Sequence, residues 1–164
     1  MKYQYNDGGR KAAGFKGTAG DCGARAMTIA LRLDYSAVYR ELAQANADNG
    51  RAKSARNGVM KDVYTEVLKR HGWVWMKAPQ FEGRKARCSD MPAGVVIAKQ
   101  ARHFVAVIDG VALDIWDCTH KMVYGYWANP VGGVLPAVLT DASGRDFKVP
   151  QKYAKVCTNF RKPI

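Results

Sequence analysis

Up to Gly72 the apolar residues of this chain recur at helical spacing; beyond it they alternate, or run together between turn signals. That change of period constrains the fold more than any other feature. The clearest helix follows Asn57. Met60, Val63, Tyr64, Val67 and Leu68 fall at i, i+3, i+4, i+7 and i+8, and Gly72 supplies the stop. An earlier helix is predicted from Gly23 to about Leu33, with Met27, Ala30 and Leu31 on one face. A second, capped by Asp34 or Ser36, carries Val38, Leu42 and Ala45 as its stripe, and the polar stretch Asn46–Asn57 reads as a loop. After Gly72 the expected strands are Trp73–Met76, Gly94–Ala98, Ala101–Ile108, Val111–Trp116 and Met122–Trp127, with a charged loop up to about Asp90. Asp109-Gly110 between two apolar runs is a strong two-residue hairpin signal. Helices first and sheet second indicate an α+β fold.

The 164 residues suit one domain. Residues 1–20 are rich in Gly, Lys and polar groups and read as an irregular N-terminal arm; residues 21–164 form the domain, its C-terminal part loop-rich and basic. With 26 Lys and Arg against 14 Asp and Glu, the net charge of +12 favours anionic partners: nucleic acid, anionic polymers, acidic proteins or membrane surfaces. The charges are dispersed, which equally suits a solvated basic surface with no dedicated partner. No stretch approaches transmembrane length and residues 1–20 contain no continuous apolar core, so a cytoplasmic protein with reduced thiols is expected, and no membrane partner. Cys22, Cys88, Cys118 and Cys157 make no CxxC and no His/Cys cluster at zinc spacing. There is no phosphate-cradling glycine loop, paired-carboxylate motif or EF-hand. No metal or cofactor is expected.

Cys22 stands where the first helix begins, and the free backbone N–H groups and dipole of a helix N-terminus favour thiolate over thiol. His103 opens the strand that leads into Asp109-Gly110, and an acid lies on the return strand. Across a two-residue turn Ile108 faces Val111, Val105 faces Asp114 and His103 faces Trp116. His103 and Asp114 then share one sheet face as diagonal neighbours, while Asp117 falls on the other parity unless a bulge turns it inward. The arrangement is that of a cysteine nucleophile: Cys22 attacks, His103 carries the proton, Asp114 fixes the imidazole, and Asp117 is the alternative acid. The Cys22 N–H and one further donor would hold the oxyanion. Cys88, Cys118 and Cys157 read as packing residues or incidental thiols.

The run Gly20-Asp21-Cys22-Gly23-Ala24-Arg25-Ala26-Met27 resembles the nucleophile motif of papain-like cysteine peptidases, in the Asp-Cys-Gly form of the leader-peptidase domains of bacteriocin exporters. His103-Phe104-Val105-Ala106-Val107 resembles the histidine strand of that superfamily, with Asp114 in the place of its orienting acid or amide. The likeness covers the Cys22 helix and the His103–Asp117 hairpin, under a third of the chain. The whole chain also resembles small bacteriophage proteins of papain-like type, for which host cytoplasm would be the location. The resemblance implies helices packed on a small antiparallel sheet, with the catalytic cleft between them. Many such peptidases place a glutamine several residues before the cysteine as second oxyanion donor; here those positions are Lys16, Gly17, Thr18, Ala19 and Gly20, and Lys16 or Thr18 could substitute.

The remaining candidates have plainer readings. His71, after Lys69 and Arg70 at a helix end, suits the dipole, and His120 is a loop histidine. Trp73, Trp75, Trp116, Tyr124, Tyr126 and Trp127 read as core and cleft lining. The basic stretches Arg51–Arg56 and Lys148–Lys162 are solvated faces, although the second, with Tyr153 and Phe160, could bind single-stranded nucleic acid. The expected function is a thiol hydrolase acting on an amide or thioester, most simply a peptidase whose peptide or protein substrate is anionic. The alternative is a basic nucleic-acid-binding or protein-interaction module on the same fold without turnover.

Overall fold

A computed structural model describes residues 2–129 and the two short strands Val138–Thr140 and Asp146–Lys148. Cys157, Tyr153, Phe160 and all but the first residue of the basic stretch Lys148–Lys162 lie outside the described residues. The architecture is α+β: three helices pack on a six-stranded, mostly antiparallel sheet.

The helices are α1 (Cys22–Leu31), α2 (Tyr35–Asp48) and α3 (Lys61–Arg70). Asp34 caps α2 by accepting the Ala37 N–H, which selects it over Ser36. The second helix reaches three residues, Asn46 to Asp48, into the stretch expected to be loop, because Ala45 and Asn46 still face the core. His71 caps the end of α3 and bonds Glu41 of α2 at 2.9 Å, so its role is to tie two helices together.

The sheet strands are β1 (Tyr3–Tyr5), β2 (Val74–Lys77), β3 (Val95–Gln100), β4 (His103–Ile108), β5 (Val111–Asp114) and β6 (Gly125–Ala128), in spatial order β1-β5-β4-β3-β6-β2. The separate strands Val138–Thr140 (β7) and Asp146–Lys148 (β8) pair antiparallel with each other. Asp109 and Gly110 both take positive φ (49° and 78°), the geometry of a type I′ turn, and Ile108 pairs with Val111 as the sequence arithmetic requires.

The N-terminal arm corrects the sequence reading. Residues 1–20 are not wholly irregular: Tyr3–Tyr5 adds to the sheet edge as a parallel strand, with Tyr5 opposite Asp114. Turns follow, held by side chains; Arg10 donates to the carbonyls of Gly17 (2.9 Å) and Lys16 (3.1 Å).

The sheet is buried on both faces. Phe104, Ala106, Ile97, Leu113 and Trp127 face the helices. Val105, Val107, Val96, Ala98, Ala112 and Tyr126 face the other way, into a second core closed by Ala86, Cys88, Met91, Cys118 and Val123 from the connecting loops. The alternate assignment of neighbouring residues to the two cores is the period-two geometry of a strand. It also explains why β4 reads as an unbroken apolar run. No helix among the described residues is long and apolar enough to cross a membrane.

Candidate functional site

Cys22 is the first residue of α1, half-buried, with the unbonded N–H groups of the first helical turn about it. The next position has to be glycine. A Cβ on Gly23 would lie 3.2 Å from Tyr64 and 3.4 Å from Phe104, two rings already packed 4.4 Å apart. Tyr64 Oη also donates to the Gly23 carbonyl at 2.7 Å, clamping the start of α1 onto α3. Gly23→Val should therefore destabilise the domain by about 1–3 kcal/mol through overpacking. The urea midpoint measures it, and an unchanged midpoint would show that the rings have room to yield.

His103 begins β4 and Asp114 ends β5, both almost fully buried. His103 Nε2 lies 2.5 Å from Asp114 Oδ2, so Nδ1 is the nitrogen left for the thiol. Trp116 packs 5.0 Å from the imidazole and screens the pair from water. The regular register of the hairpin places Asp114 as predicted. Asp117 is exposed and accepts bonds from the Thr119 N–H (3.0 Å) and hydroxyl (2.5 Å), so it is not the partner of His103.

The electrostatics of this group follow from its contacts. Burial pushes the Cys22 thiol up, but the hydrogen bond and charge of His103, the Phe104 N–H and the charge of Arg25 outweigh it, and the pKa falls below the ordinary thiol value. Burial would likewise lower the imidazole. Hydrogen bonds with Asp114, Cys118 and Cys22, and the Cys22 charge, overcome it and push His103 up to about 11. The two shifts favour a thiolate–imidazolium pair over the neutral thiol and imidazole. That is the state a cysteine nucleophile needs.

No family model matches the chain, nor does any curated protein or solved structure. The chemistry of the site rests on its own geometry.

Two parts of that geometry are absent from the sequence reading. The first is an ion network behind the acid. Arg25, buried on α1, bonds Asp21 with one guanidinium nitrogen and lies 3.3 Å from Asp114 Oδ1 with the other. Asp21 also takes the Tyr35 hydroxyl and Arg10 Nε, the latter at 2.9 Å. The acid of the motif is thus not a helix cap; it anchors the arm, α1 and α2 to one another. The spacing of Asp21 and Arg25, four residues apart across a helix start, is the signal that could have revealed half of it.

The second part is Cys118, a packing residue of the second core, as expected, that also reaches His103. Its sulfur, a His103 nitrogen and an Asp114 oxygen lie within 4.8 Å of one another. Gln100, opposite His103 in the β3–β4 pair, fixes this loop by donating to the Cys118 carbonyl at 3.0 Å and the Lys121 carbonyl at 3.3 Å. The three donors could in principle hold a metal ion. Their own bonding runs against it: a Cys88 contact and burial push the Cys118 thiol far up, keeping it protonated, and the carboxylate is spent on His103 and Arg25. Lys16 and Thr18, the suggested oxyanion donors, line a cleft that reaches Asp21 and Arg25, and their carbonyls accept from Arg56, each at 3.3 Å. His120 is exposed, 6.1 Å from Trp116.

Proposed function

We propose that the protein is a cysteine-dependent hydrolase, most simply a peptidase, working on an amide or thioester bond. The observation that carries the reading is one half-buried thiol at a helix start, its pKa lowered by an imidazole whose far nitrogen is 2.5 Å from a buried carboxylate. Cys22 attacks the carbonyl carbon and the backbone N–H groups at the start of α1 receive the developing oxyanion. His103 gives its proton to the leaving group, then takes one from the water that releases the acyl-enzyme. Asp114 holds the imidazole in the required orientation and favours its protonated form, and Arg25 holds Asp114.

Limiting iodoacetamide near neutral pH, followed by peptide mass spectrometry, tests the nucleophile. Cys22 should label well before Cys88 and Cys118, which are fully buried. A panel of acyl probes directed at thiols should be captured on the same residue, and not by Cys22→Ser. Uniform labelling, or capture on another cysteine, would remove the assignment.

The pH profile carries a sign. Because the Cys22 pKa is lowered, its labelling rate should reach its plateau at a lower pH than an ordinary thiol requires and fall on acidification through that lowered value. Turnover should also decline on the alkaline side as His103 loses its proton towards about 11, since no acid then remains for the leaving group. A labelling rate that climbs through the ordinary thiol pKa of about 8.5 would contradict the ion pair.

A further inference from the structure

A cleft of about 500 Å3 lies where the start of α3, β2, the loop after β2 and the segment before β6 meet. Its lining carries four cations, Lys61, Lys77, Arg84 and Lys85, and no carboxylate among the described residues. Of its three aromatic side chains, Trp75 and Phe81 each carry a cation, while Tyr124 is exposed. The Lys61 ammonium sits 4.0 Å over the Trp75 ring, and the Arg84 guanidinium 4.0 Å over Phe81. Arg84 also makes two bonds to Asp90, at 2.6 and 2.8 Å, so the positive charge offered to a ligand comes chiefly from the three lysines.

The floor of the cleft is built for this. A Cβ on Gly125 would come within 2.3 Å of Trp75 Cζ2, so only glycine lets the indole lie down on β6. Trp75 then packs 4.6 Å from Trp127, which touches Phe104 at 5.6 Å, beside the Cys22 thiol. Lys99 spans the remaining gap. It lies 4.6 Å over Phe104, and it senses both the Cys22 charge and that of Lys61. Lys99 thus places one positive charge between the nucleophile and the cleft.

We propose that this cleft binds the acidic segment of a peptide substrate, a run of carboxylate side chains next to the bond presented to Cys22. The assignment rests on the thiol-hydrolase reading for its place on a substrate track, but the binding itself does not need turnover. Acidic peptide is favoured over single-stranded nucleic acid for a specific reason. Stacking of successive bases needs several open aromatic faces, and here Trp75 has Lys61 on one side and Gly125 beneath it, while Phe81 carries Arg84, which leaves Tyr124 as the exposed ring. Three lysine ammonium groups against one exposed ring suit carboxylates better than a run of bases.

Fluorescence anisotropy at low ionic strength with full-length Cys22→Ala protein tests the proposal. The probes are fluorescein-labelled hexaglutamate, hexaglutamine and an oligothymidylate. Hexaglutamate should bind and hexaglutamine should not. Joint replacement of Lys61, Lys77 and Lys85 by alanine should weaken hexaglutamate at least about tenfold, against under about twofold for alanine at Arg40, Lys53 and Lys69, which removes the same charge elsewhere. Equal losses in the two triple variants would overturn the cleft in favour of a general charge effect. Oligothymidylate binding more tightly, through the same three lysines, would overturn the peptide in favour of nucleic acid. Labelling of Cys22 is read separately: a reactive Cys22 with no cleft preference sinks only this proposal, and cleft binding with an inert Cys22 sinks only the hydrolase.

Discussion

His103→Ala should lower turnover of any substrate captured on Cys22 by about 10²–10⁴-fold, the usual worth of a positioned acid–base group. It should also slow iodoacetamide labelling of Cys22 at neutral pH. The second effect distinguishes this site from a generic helix-terminal thiol. His103 supplies the largest of the interactions that lower the Cys22 pKa, ahead of the Phe104 N–H and Arg25. Without it, only the weaker pull of the Phe104 N–H and Arg25 stands against burial, and the thiol pKa rises. Labelling rates for wild type and variant across pH, beside circular dichroism to show an intact fold, make the measurement. Unchanged labelling at neutral pH would mean that the helix start alone activates the thiol and that His103 is not its partner.

Arg25→Leu should destabilise the domain by about 3–5 kcal/mol, the cost of leaving buried charge uncompensated. The side chain lies between two carboxylates that are themselves buried, Asp21 and Asp114. Leucine fills much of the volume and removes the only group among the described residues that touches both. Asp21 would retain Arg10 and Tyr35, and Asp114 would retain His103 and the Ile115 N–H at 2.7 Å. Those remaining contacts place the loss towards the lower end of the range. Urea unfolding followed by tryptophan fluorescence reads it, and a change under about 1 kcal/mol would show that water reaches the carboxylates. In a variant that still folds, Cys22 should label more slowly at neutral pH, because the guanidinium charge helps to hold the thiolate.

Much of the site was legible before any fold was drawn, because its main elements are local. A helical period beginning at Cys22 puts a thiol among free N–H groups whatever the helix packs on. Asp109-Gly110 sets a two-residue turn, and the turn sets the register by counting, so His103 and Asp114 had to be diagonal neighbours. The same counting put Asp117 off the face, and the structure shows it bonded to Thr119 instead. Strand boundaries moved by one to three residues, as with Gly125–Ala128 where Met122–Trp127 was expected, because apolar loop residues such as Val123 serve the second core without joining the ladder.

The sequence by itself determined the fold class, the position of the thiol at a helix start and the pairing of histidine with acid, since each depends on contacts a few residues apart or on one tight turn. Only the tertiary structure decided what surrounds them. Arg25 reaches Asp114 across 89 positions, and Cys118 arrives beside His103 because Gln100 pins its loop. Tyr3–Tyr5, too short to mark a strand by its own pattern, becomes one because β5 offers it an open edge. Lys61 and Trp75 meet over a glycine from a third element. Such contacts join residues distant in sequence. Their partners are chosen by which surfaces packing brings together, and no local period or turn records that choice.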